Sequence, residues 1–152
     1  MASRTQTTAS EYKLSCKRTG ETIEATTIRI ADDAVKVARN FYFDDINIYE
    51  SFFIMLLNKA NKVIGWAKIS QGGVCNTVVD KKIICKYAID TLASSVILIH
   101  NHPSGNHLPS GADTAITEQI TKALGVLDIK ILDHIILTEK GYYSFSEEGM
   151  LS

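Results

Sequence analysis

Residues 96–102 read VILIHNH, so two histidines stand one residue apart at the end of an apolar run. After His100-x-His102 come seven residues, then Ser110, two more residues and Asp113. Two imidazoles and a carboxylate form the donor set of an open zinc site, in which three protein ligands leave the fourth tetrahedral position to water. A zinc ion held in this way activates water as a nucleophile. These residue types therefore point to a hydrolase with His100, His102 and Asp113 as metal ligands.

The elements that must position them can be read on either side. In a strand, residues i and i+2 share a face, so His100 and His102 point the same way if the strand runs through them. The helical alternative, HExxH, is absent. Residues 96–99 are continuously apolar, as in a strand buried on both faces, and Pro103-Ser104-Gly105 ends it in a loop. The next helix is expected over residues 111–124, with Ala112, Ile116, Ile120 and Ala123 inward and Gly125 as its stop. Asp113 falls in its first turn, where a short loop can fold it back over the strand end. Ser110 and Asp113 also have the spacing of a capping box, and Ser110 can cap the helix while its hydroxyl faces the site.

Upstream, Tyr12, Leu14 and Cys16 alternate with polar residues as in a half-buried strand. A turn at Thr19-Gly20 would lead to a second strand over 23–30. Residues 31 to about 43 have helical spacing, with Asp32 and Asp33 in the first turn. A hairpin follows: an apolar strand over 51–57, a turn at 58–61 and a return strand over 62–70, broken at Gln71-Gly72-Gly73. A further strand is expected over 74–79. Asp80 then caps a helix whose apolar stripe is Ile83, Ile84, Tyr87, Ala88 and Leu92. The last strands are read over 129–137 and 142–145, with a turn at Lys140-Gly141. This order of elements describes one layered α/β domain with a mixed, largely antiparallel sheet. Residues 1–10 form a polar tail expected to be disordered, 11–45 a strand-and-helix extension, and 46–152 the hydrolase domain.

Composition narrows the function classes. The chain has 152 residues, 45% hydrophobic and 22% charged, with net charge −1, the profile of one globular domain. No basic excess points to nucleic acid or an anionic membrane; the clusters Lys59/Lys62 and Lys81/Lys82/Lys86 read as solvated faces. Three cysteines, Cys16, Cys75 and Cys85, without a CxxC pair, fit reduced thiols rather than a disulfide framework. None has the spacing or neighbours of a nucleophile. The start of the chain carries no apolar signal segment and no run long enough to span a bilayer, so a cytoplasmic location is expected.

The pattern HxHPSGxxxxSxxD resembles the metal motif of the JAMM, or MPN-plus, metalloprotease family. The segment HNHPSG…PSGAD…T, with LDHIIL downstream, resembles its RadC-like bacterial branch in particular, and the similarity runs from about residue 50 to residue 151. The resemblance implies a cytidine-deaminase-like three-layer α/β/α domain and zinc held by His100, His102 and Asp113. It implies that Glu50, on an early strand, is the general base that activates the water and hands its proton to the leaving amine. Ser110 would hydrogen-bond the water or the developing oxyanion. The substrate class would be a peptide or isopeptide bond in a peptide or protein.

The sequence departs from the family pattern in three places. RadC-like proteins usually carry a helix-hairpin-helix region ahead of this domain, where this chain has its extension. The family's polar loop stretch is here Asn106-His107-Leu108, and a usual Pro-Arg pair is replaced around residues 80–82. These positions bear on substrate contacts rather than on metal ligands. His107 lies mid-loop and is expected to be exposed. Asp133 and His134 resemble the family's DH pair; on a strand they face opposite sides, so at most one faces the site. The one that does would be either a residue orienting a ligand imidazole or a satisfied core polar residue, and His134 is the next candidate base after Glu50. Two other functions compete: a nucleic-acid-associated RadC-like DNA repair factor, and a non-catalytic MPN-type interaction module. The first finds no basic excess, helix-hairpin-helix or recognisable binding motif in the sequence; against the second stands the complete set Glu50, His100, His102, Ser110 and Asp113.

Overall fold

The strands with unbroken apolar sequence lie at the centre of the sheet. In the computed structural model, which describes residues 9–11, 17–42, 45–72 and 78–151, strands β1 (Ser51–Leu57) and β3 (Ser95–Asn101) are buried at every position. Both have a packed layer on each face, so neither needs a polar side. Each fully buried Ile, Leu or Phe there contributes about 1.5–3 kcal/mol relative to exposure.

The five-stranded sheet has the order β2-β1-β3-β4-β5, with β2 at Val63–Gln71, β4 at Lys130–Leu137 and β5 at Tyr142–Ser144. Only β3 and β4 pair in parallel; β1 with β2, β1 with β3, and β4 with β5 are antiparallel. The parallel pair needs a crossover, and helix α3 (Gly111–Gly125) supplies it. The sheet is therefore mixed and largely antiparallel, as expected.

Helix α1 (Ala31–Ala38) and the 3-10 turn Arg39–Phe41 cover one face of the sheet, against Phe53, Met55, Ile97, Ile99 and Ile135. Helices α2 (Lys81–Asp90) and α3 cover the other, against Phe52, Ile54, Leu56, Val96 and Leu98. The stretch read as an N-terminal extension thus supplies a layer of the core. Phe41 stacks on Trp66 at 4.7 Å between centroids. Among the described residues, no helix is long and apolar enough to cross a membrane.

Several local expectations are corrected. No strand forms over 23–30; Thr27 makes one isolated bridge to Lys62. The reason is local: Asp33 Oδ2 accepts from Arg29 N at 2.9 Å and Ile30 N at 3.2 Å. Those backbone donors serve the start of α1 and cannot extend a ladder. Leu92 is not part of the α2 stripe. The helix ends at Asp90, and Leu92 is 84% exposed with φ of 52°. Helix α3 turns Asp113, Thr117, Ile120 and Leu124 inward, not Ala112 and Ala123, and it includes Gly125. The strand expected over 12–16, Cys16 and Cys75 lie outside the described residues, as does most of the strand expected over 74–79. Val78 and Val79 belong to no strand. Cys85 is a free, half-buried thiol whose pKa burial pushes up.

Candidate metal centre

Strand β3 runs through His100 into Asn101, and the His102 backbone N–H continues the parallel ladder by donating to Leu137 O at 3.0 Å. Both imidazoles therefore emerge on the α2/α3 face. Beyond them the chain reverses at Pro103-Ser104-Gly105, where Gly105 takes φ of +84°, a conformation glycine adopts without strain. The loop delivers Ser110 as N-cap of α3. Ser110 Oγ accepts from Asp113 N at 3.1 Å, and Asp113 Oδ2 accepts from Ser110 N at 2.7 Å. The capping box is complete, and it places the Asp113 carboxylate over the strand end.

His100 Nε2 lies 2.9 Å from His102 Nε2 and 3.1 Å from Asp113 Oδ1, and His102 Nε2 lies 3.4 Å from Asp113 Oδ2. The three donor atoms fall within 4.8 Å of one another. His102 Nδ1 is 2.6 Å from the carbonyl oxygen of Asn106. A carbonyl only accepts, so Nδ1 carries the proton and the lone pair of neutral His102 sits on Nε2. That lone pair, the second imidazole and a carboxylate converge on one point, which calls for a cation. The electrostatics agree. The hydrogen bond that protonated His102 donates to Asp113 leads the causes that raise the His102 pKa. Burial would raise the Asp113 pKa, but the adjoining imidazoles of His100 and His102 and the backbone N–H of Ser110 outweigh it and hold the carboxyl well below the usual range. Two nitrogens and an oxygen are a donor set that suits zinc, and His100, His102 and Asp113 can hold a metal ion.

Residues 28–150 match the RadC-like JAB domain. The chain belongs to the RadC-like JAB domain family. It is 48% identical over 102 residues to a UPF0758 protein of Flavobacterium johnsoniae, covering 67% of this chain and 44% of the relative. It is 41% identical over 103 residues to one of Porphyromonas gingivalis, covering 67% and 45%. To UPF0758 protein YfjY of Escherichia coli it is 39% identical over 102 residues, covering 67% and 64%. The chain thus spans about half the length of the curated relatives it matches.

The other expected site residues occupy distinct places. Glu50 is half-buried just before β1. The β1–β3 register ends with Phe52 opposite His100; His102 stands two residues after His100, and Glu50 two residues before Phe52. Its charge contributes to the raised His102 pKa, behind Asp113, burial and Asn106. Ser110 Oγ lies 2.7 Å from Asp113 Oδ2 and donates to it. His107 is exposed in the loop and outside the donor cluster. Asp133 and His134 face opposite sides of β4. Asp133 accepts from Ser144 Oγ, Ser146 N and His134 N, and burial raises its pKa. His134 is fully buried against His100, with Nε2 2.8 Å from His100 Nδ1 and Nδ1 2.6 Å from Thr117 Oγ1. Burial lowers its pKa well below the ordinary value. With both nitrogens engaged, His134 is not available as an alternative base.

Sequence reasoning missed three residues. Thr117 is the first: the motif that carries the resemblance includes a threonine after PSGAD but gave it no role, and its i+4 spacing from Asp113 is a further local sign. Asn101, between the histidines, points to the opposite face. Its side chain accepts from Ser51 N at 2.8 Å and donates to Ile46 O at 2.7 Å and Tyr49 O at 2.8 Å. It thereby pins the segment that carries Glu50. Phe52 is the third, with its ring stacked on that of His100.

Proposed function

We propose that this domain is a zinc-dependent hydrolase of the metallopeptidase type, acting on a peptide or isopeptide bond. The observation that carries this reading is the 2.9 Å approach of His100 Nε2 and His102 Nε2 beside the Asp113 carboxylate. The membership in the RadC-like JAB domain family supports it. We read the mixed sheet with helices on both faces as a cytidine-deaminase-like α/β/α domain. The protein is assigned to the cytoplasm, with a peptide or protein as substrate.

His100, His102 and Asp113 would hold the zinc, which supplies Lewis-acid polarisation and brings the pKa of a water to about 7. Glu50 is the general base. Its charge acts on His102 while it lies outside the donor group, which supports a carboxylate that takes a proton from water and passes it to the leaving amine. Ser110 orients Asp113 through its hydroxyl, and a rotation of that O–H turns the same donor toward the developing oxyanion.

The test is metal analysis of the purified chain paired with cleavage of a peptide library. One zinc per chain and cleavage that is lost in Glu50→Gln support the reading. A chain that takes up no zinc, or zinc-loaded protein whose cleavage is unaffected by Glu50→Gln, refutes it.

A further inference from the structure

We infer that Thr117 and His134 are positioning residues that decide which nitrogen of His100 faces the metal centre. The inference rests on the reading of His100 as a metal ligand and extends it to residues outside the ligand set.

Thr117 is the one group in the chain of contacts that cannot choose its role. Thr117 Oγ1 is 2.6 Å from the backbone carbonyl oxygen of Asp113 and 2.6 Å from His134 Nδ1. A carbonyl oxygen only accepts, and two oxygens this close need a proton between them. The single hydroxyl proton of Thr117 is therefore donated to Asp113 O. Thr117 Oγ1 can then only accept from His134, so His134 carries its proton on Nδ1. Neutral His134 has a bare Nε2, and that atom is 2.8 Å from His100 Nδ1. His100 must supply the proton of that contact from Nδ1. Its own Nε2 is left bare, facing His102 Nε2 and Asp113 Oδ1.

The direction of every proton thus follows from one helix carbonyl. The chain is buried throughout: His134 is 0%, His100 1% and Thr117 3% exposed. Water cannot substitute for a missing partner at such depth without a cost. Flat rings hold the imidazole planes. Phe52 lies against His100 with an interplanar angle of 10°, and Phe145 against His134 with 18°. The path also closes on itself, because it runs from His100 through His134 and Thr117 to Asp113, whose carboxylate is another donor of the same cluster. A metal-binding imidazole commonly has its second nitrogen engaged, which sets tautomer and ring orientation. Here the partner is a second histidine, so the tautomer must itself be set, and Thr117 does so. Without the hydroxyl, His134 can move its proton to Nε2. His100 Nδ1 then becomes the acceptor, and the His100 proton moves to Nε2, where it blocks a metal.

The test has two independent readouts. Long-range proton–nitrogen NMR of the metal-free wild-type chain at neutral pH is expected to show both His100 and His134 as Nδ1–H tautomers. Zinc affinity, measured by competition with a chromophoric chelator, is expected to fall about 10–100-fold in Thr117→Val and to recover in Thr117→Ser. Val conserves shape but leaves Asp113 O and His134 Nδ1 without their partner, so the change in affinity is read together with the tautomers. Wild-type His134 found as the Nε2–H tautomer, or a Thr117→Val affinity within about twofold of wild type, overturns the inference. If Thr117→Val does not fold, the wild-type tautomers decide. A wild-type chain that binds no zinc defeats the metal-site reading, while the tautomers still judge the proton arrangement.

Discussion

Phe52 and His100 face each other across the β1–β3 ladder, and their rings stack with centroids 5.8 Å apart. Glu50 stands two residues before Phe52 and His102 two residues after His100, the positions that strand alternation would carry to the same face. Glu50→Gln keeps size and removes the base. Folding and zinc content are expected to be retained, with cleavage reduced by two or more orders of magnitude, as for loss of a general base. Full activity in this variant would assign the base elsewhere.

Asn101 should act through Glu50 alone. Its amide holds Ser51 N, Ile46 O and Tyr49 O on the face of the sheet away from the metal donors. Asn101→Ala frees the segment ahead of β1 without touching a ligand. The rate constant for cleavage is expected to fall by about tenfold or more, since a small misplacement of a catalytic group is costly. Zinc affinity should stay near that of wild type. Equal losses in both would mean that Asn101 supports the strand as a whole.

The pH dependence of metal binding has a definite sign. The hydrogen bond to Asp113 is first among the causes raising the His102 pKa above its ordinary 6.5. In the metal-free protein a proton on His102 therefore stabilises the fold below pH 6.5, and that contribution is lost as pH rises through the folded-state pKa. A metal needs the same nitrogen bare. The zinc-induced increase in Tm should thus grow between about pH 5.5 and about 7.5. Burial lowers the pKa of His134, so its contribution runs the other way, lost as pH falls below 6.5. Its folded-state pKa lies well below this range, so what is lost there is set by the unfolded chain and cancels in the difference. Paired thermal melts across this range check the sign; a zinc shift that shrinks with rising pH would contradict it.

Asp133 is structural. Its carboxylate takes Ser144 Oγ at 2.6 Å, His134 N at 2.7 Å and Ser146 N at 3.0 Å, gathering the turn that brings Phe145 onto His134. Asp133→Ala leaves these donors without their acceptor and is expected to destabilise the fold by about 2 kcal/mol or more. Urea unfolding reads the loss. The folded fraction should still bind one zinc per chain, and an unchanged unfolding midpoint would count against this account.

The sequence by itself determined what depends on near neighbours. His100 and His102 share a face because strand side chains repeat every two residues. Ser110 caps a helix and carries Asp113 because that geometry is closed within one turn. The unbroken apolar runs at 52–57 and 96–99 mark the central strands because a strand covered on both faces has no polar side. Hydrophobic pattern failed where polar groups took over the inward positions. Helix α3 buries Asp113 and Thr117 because the site needs them there, and a pattern of apolar residues cannot register a buried polar one. It failed again at 23–30, where Asp33 claims the backbone N–H groups that a strand would use. Only the tertiary structure decided which distant groups meet. Thr117 and His134 are seventeen residues apart, and His134 and His100 thirty-four. The parallel register of β3 on β4, with α3 packed across it, brings all three into contact. Such a register is set by the packing of both sheet faces at once, and no local spacing encodes it.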